Sequence, residues 1–89
     1  MTLISTVLRK WMDLEAHKPL TAGLVLGVDE KTVCNWLIGR SIPRDENLSR
    51  LALAMCASGL EVSYFKALDC IHVLAQFDRQ HYQNRIQKS

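Results

Sequence analysis

From Leu26 to Pro43 the chain reads LGVDEKTVCNWLIGRSIP. Its apolar residues at 26, 28, 33 and 36 recur at helical rather than strand spacing, with polar residues between them. Asp29 suits an N-cap, where a carboxylate accepts from a free backbone N–H of the first turn. That placement predicts a helix from Glu30 to about Leu37, with Gly39 as its stop. Gly27 allows a tight turn in front of it, because glycine takes positive φ without a steric penalty. Gly23 lies where the preceding helix must approach closely, and a side chain larger than methyl would push the two apart. Val28, Val33, Trp36 and Ile38 are expected to form the inner face. Two short helices crossing at a short turn, with one face of the second left free, have the spacing of a helix-turn-helix.

Working outward, helical spacing continues in both directions. Leu3, Val7 and Leu14, with Ile4, Leu8 and Trp11 beside them, predict a first helix from Leu3 to Ala16. Pro19 fits the first turn of a second helix, where its missing N–H costs nothing, and Gly27 ends that helix. Asp45 is a candidate cap for a fourth helix carrying Leu48, Leu51, Ala52 and Met55 and ending near Gly59. Ser63 is a candidate cap for a fifth, with the stripe Tyr64, Leu68, Ile71, Ala75, Tyr82 and Ile86. Asp78 interrupts that stripe, so the helix is expected to end or become exposed there. No stretch alternates as a strand would. The expectation is one all-α domain, a compact bundle of about five helices.

Composition narrows the class. The chain has 89 residues, 48% hydrophobic and 22% charged, with a net charge of +2; it reads as a small globular domain rather than a disordered one. Cys34, Cys56 and Cys70 are an odd set with no CxxC pair, and no leader-like run precedes them, so a reducing, cytoplasmic setting is expected. No apolar stretch is long enough to span a membrane. Cys70 and His72 point apart on a helix, and no other pair is spaced to complete a metal site. Neither a metal nor a cofactor is expected, and no pocket signal supports an enzyme.

At the central stretch the chain resembles the Cro and lambda-repressor-like helix-turn-helix proteins, small phage and bacterial transcriptional regulators. The resemblance rests on L-G-V, four variable residues, Val33, two more, Trp36, then Gly39 and Pro43, followed by LSRLALAM from Leu48 to Met55. It covers roughly Pro19 to Met55; Pro19 stands where the family often has glutamine. What it implies is a homodimer that binds an inverted-repeat operator in double-stranded DNA, as a repressor, with the third helix in the major groove. On that docking the base-reading residues are Glu30, Lys31, Thr32, Cys34 and Asn35. Lys31 can donate to guanine, Glu30 can accept from cytosine and Asn35 can pair with adenine. Phosphate contacts would come from Lys18, Thr21, Arg40, Ser41 and Arg44.

Several readings stay open. Cys34 is either a packing or groove-lining residue or a redox sensor, and nearby positive charge to lower its pKa is thin. The fifth helix, apolar on more than one side, either covers the core or also forms a two-fold interface through Tyr64, Phe65, Leu68, Ile71, Leu74 and Phe77. The basic tail with Arg79, Arg85 and Lys88 is either a solvated end or an arm near phosphates. Asp29 and Glu30 on the outer face keep a rival class in view: a protein-binding module, such as an antitoxin or a small phage inhibitor of a host protein.

Overall fold

The computed structural model describes residues 2–61 and 63–88, with side chains as far as His81. Five helices follow one another: α1 (Leu3–Leu14), α2 (Pro19–Leu26), α3 (Glu30–Leu37), α4 (Asp45–Ala57) and α5 (Tyr64–Lys88). No strand occurs among the described residues. The molecule is all-α. The 25 residues of α5 would run about 37 Å at 1.5 Å per residue, close to the longest molecular extent of 39 Å.

One core serves all five helices. Ile4, Leu8 and Trp11 of α1 meet Ala22 and Leu26 of α2, Val33 and Trp36 of α3, and Leu48, Leu51, Ala52 and Met55 of α4. The fifth helix contributes Ala67, Ile71 and Ala75, all fully buried. Two of those three are alanines, so the backbone of α5 can lie close against α4 and α1. Leu3 and Leu14, expected on the inner side of α1, are largely exposed, and the buried stripe is the neighbouring one through Ile4, Leu8, Trp11 and Met12.

The first four helices end in the same way. In each, a residue one or two positions past the helix adopts positive φ: Ala16 (55°), Gly27 (75°), Gly39 (78°) and Gly59 (80°). In each, the next N–H reaches back to the carbonyl five residues earlier: His17 to Met12, Val28 to Gly23, Arg40 to Asn35 and Leu60 to Met55. This is the Schellman arrangement, which satisfies carbonyls that the last turn leaves unpaired. Three of the four positions are glycine, as that backbone favours, and the fourth is Ala16.

The start of α1 is satisfied by a different device, and it corrects the expectation for Asp78. Thr2 and Ser5 form a capping box, each side-chain oxygen accepting from the other's backbone N–H at 3.0 Å. The two donors between them, Leu3 N–H and Ile4 N–H, both donate to the Asp78 carboxylate at 2.9 Å. Asp78 is buried. It therefore neither ends α5 nor faces solvent; it closes the N-terminus of α1, where the helix dipole also favours a negative charge. The apolar stripe is interrupted because the helix meets a helix end there. Tyr82, Arg85, Ile86 and Lys88 lie beyond the described side chains.

One smaller correction concerns a cap. Asp45 is the first residue of α4 rather than its cap; Arg44 holds the cap position and makes no side-chain cap bond. Asp45 still suits that end, since acids in a first turn oppose the helix dipole favourably. Ser63 does take the position in front of α5, its carbonyl accepting from Ala67 N–H at 3.0 Å.

Candidate nucleic-acid interface

The surface of interest is built on the turn between α2 and α3. Pro19 opens α2 in its first turn, and Gly27 closes it. A β-carbon added to Gly23 would lie 2.6 Å from the Val28 carbonyl oxygen and 3.3 Å from the Asp29 carbonyl carbon. The turn backbone thus rests directly on Gly23. Even a methyl group is too large there, a stricter limit than the sequence suggested. Arg50 of α4 fixes the same corner: its guanidinium donates to the Leu26 carbonyl at 3.3 Å and to Glu46 at 2.9 Å.

Asp29 caps α3 as expected. Its carboxylate accepts from Thr32 N–H at 2.9 Å and also from the Thr32 hydroxyl. Those hydrogen bonds favour the charged form and hold the Asp29 carboxyl below its ordinary value of 3.8. Val33 and Trp36 are buried and lock the inner face of α3 to the core. Ile38 does not join them: it sits in the cap after the helix with 63% of its surface exposed, and Leu37 packs against the core instead.

With that face locked, Glu30 and Lys31 stand fully outside, while Thr32, Cys34 and Asn35 are half-buried at its margins. All five expected base-reading residues share one helix, but they are not equally available. The Thr32 hydroxyl is already engaged by Asp29. Lys18 and Thr21 are exposed at the start of α2, and Arg40, Ser41 and Arg44 are exposed in the loop after α3. That loop is set by Gly39, whose added β-carbon would lie 3.2 Å from the Thr2 methyl, so it leans on the start of α1.

Charge is distributed unevenly across this surface. Among the described residues Glu46 pairs with Arg50, and Asp45 lies 3.7 Å from both Arg79 and His72. Lys18, Lys31, Arg40 and Arg44 have no acid within ion-pair distance there. Two residues at this surface escaped the sequence reading. Arg50, to which the sequence assigns no role, ties α4 to the end of α2. Arg79, assigned to an undecided tail, lies beside the α3–α4 loop, with its guanidinium donating to the Pro43 carbonyl at 2.9 Å. Helical spacing could place Arg79 at the margin of the buried side of α5, but not which loop it would meet.

The expected interface residues on α5 divide. Ile71 has no exposed surface; it belongs to the chain's own core and has nothing left to offer a partner. Tyr64, Leu68 and Leu74 pack partly against that core. Phe65 and Phe77 remain outside, and Val73, left out of the expected set, is 65% exposed beside them. Cys34, Cys56 and Cys70 form no disulfide. No cluster of metal-ligating side chains occurs among the described residues, and no described helix is long and apolar enough to cross a membrane. Comparison of the chain with known protein families, curated proteins and solved structures gives no match.

Proposed function

We propose that this protein is a sequence-specific DNA-binding regulator of the lambda-repressor-like kind, a cytoplasmic repressor without catalytic activity or cofactor. The observation that carries this reading is the division of α3. One face is locked into the core by Val33 and Trp36, and the other presents Glu30, Lys31 and Asn35 beside three further cations, Lys18, Arg40 and Arg44, with no acid within ion-pair distance among the described residues. A helix held rigidly on one side and polar on the other is suited to a major groove, with flanking cations on phosphates. Phe65, Val73 and Phe77 on one side of α5 support a homodimer, which would present two such helices to the halves of an inverted repeat.

Footprinting on the DNA upstream of the chain's own gene tests this reading. Protection of a palindrome by two chains, lost in Lys31→Ala and Asn35→Ala while their thermal midpoints stay unchanged, is the expected result. Equal protection by both variants would show that another face reads the bases. No protection even at low salt would remove the DNA reading altogether.

A second reading rests on α2. Leu20, Leu24 and Val25 are more than half exposed on a helix that is apolar nearly all round. Val25 also borders a shallow pocket with Trp11, His17, Ala54 and Ala57. Such a surface favours a protein partner, as in the antitoxin or phage-inhibitor alternative. Pull-down of a defined partner, lost in Leu24→Lys but kept in Lys31→Ala, would favour this alternative over the operator reading.

A further inference from the structure

The cations of the α3–α4 loop do not stand alone. Arg40, Ser41, Ile42 and Arg44 line an open cleft of about 300 Å³, and its far wall is Arg79, which arrives from α5. Three arginines and a serine therefore line one concavity. Arg40 and Arg44 have no acid within ion-pair distance among the described residues. The nearest carboxylate to Arg79 is Asp45 at 3.7 Å, and that acid is itself largely exposed and shared with His72. Arg79 is held in place all the same. One of its terminal nitrogens donates to the Pro43 carbonyl, which leaves other N–H donors of its planar fork free, and 42% of its side chain is exposed.

We infer that Arg79 joins Arg40, Ser41 and Arg44 in a single phosphate clamp, which takes a phosphodiester of the DNA backbone beside the groove occupied by α3. The inference rests on the DNA reading above and adds to it a residue from a different helix. The chemistry fits a phosphate on three counts. Guanidinium forks match phosphate oxygens in pairs. A guanidinium already fixed by a backbone carbonyl loses less freedom on binding than a free one. The half-open cleft leaves an oxyanion reachable from the duplex. Because Arg79 sits one residue after Asp78, the helix turn that closes α1 also sets the height of this arginine against the loop.

Two measurements test the clamp. In the wild-type chain, the arginine Nε–H signals are followed by NMR during titration with inorganic pyrophosphate. Arg40, Arg44 and Arg79 are expected to move on one saturable curve, with Arg9 as the surface reference. An Arg79 signal that moves no more than Arg9 would overturn the clamp. In parallel, the salt dependence of DNA binding is compared for wild type, Arg79→Met and Arg79→Lys. Arg79→Met should bind roughly tenfold more weakly, and its log–log salt slope should flatten by about one. Arg79→Lys should keep the wild-type slope. Weaker binding of Arg79→Met with an unchanged slope would reduce Arg79 to a support for the loop and sink the clamp alone. Saturable pyrophosphate binding by a chain that binds no DNA would sink the operator reading, and the phosphodiester with it.

Discussion

Ala16 occupies a backbone position that glycine fills at the ends of the next three helices. Its φ of 55° lies in the left-handed region, where a β-carbon crowds the following carbonyl. Ala16→Gly should relieve that strain, with part of the gain offset by the greater freedom of glycine in the unfolded chain. The expected net effect is a stabilisation of about 0.5 kcal/mol, or roughly 2–4 °C in the thermal midpoint, read by calorimetry. Gly23 is the opposite case, since the added methyl would meet the Val28 carbonyl, a backbone atom with little freedom to move. Both positions carry a signal in the sequence, of unequal quality. A glycine four residues before another glycine at a helix end announces a close crossing. An alanine announces nothing, so the first helix was expected to include Ala16 rather than end before it.

Among the elements, α3 is the most legible and α5 the least. The bounds of α3 follow from Asp29, the Val33–Trp36 spacing and Gly39, all local signals acting within one or two turns. Its cap also makes the clearest pH statement. The Thr32 hydrogen bonds lower the folded-state value of Asp29 below its ordinary 3.8. The cap's contribution to stability is therefore fully present above the unfolded value and is lost as pH falls through the lower folded one. In an NMR titration the Asp29 carboxyl is expected to titrate below 3.8, and Thr32→Ala is expected to bring it back towards that value. An Asp29 that titrates at 3.8 in the wild type would remove the cap's share in acid stability. In α5 the pattern misled in two ways, and both have one cause. Ile71 looked available for a partner and Asp78 looked like a break, because periodicity within a helix ranks faces without saying what each will meet. The buried line is set by α4 and α1, elements far away in sequence. The same blindness hid Arg79, whose neighbour is a loop some 36 residues earlier.

At the scale of the whole molecule, Asp78 is the contact on which the assembly of α1 with α5 turns. Each of its oxygens takes one backbone N–H that no other group is placed to accept. Removing a charged acceptor leaves one buried and one part-buried donor unsatisfied, and each such loss costs about 1–3 kcal/mol. Asp78→Ala is therefore expected to destabilise the chain by roughly 3 kcal/mol in urea titration. Asp78→Asn, which keeps one acceptor oxygen, should lose about half as much. Equal and small losses in the two variants would show that the start of α1 depends on its capping box alone. The fold class itself was legible because all five helices have local signals, whereas the closure between the first and last helices has none. That closure also bears on the order in which the chain takes shape during its synthesis. Leu3 and Ile4 leave the peptidyl-transferase centre 75 and 74 residues ahead of the carboxylate that completes them. At about 5–20 residues per second, α1 waits on the order of 4 to 15 seconds for its final acceptor. The helix made first is thus the last to be secured.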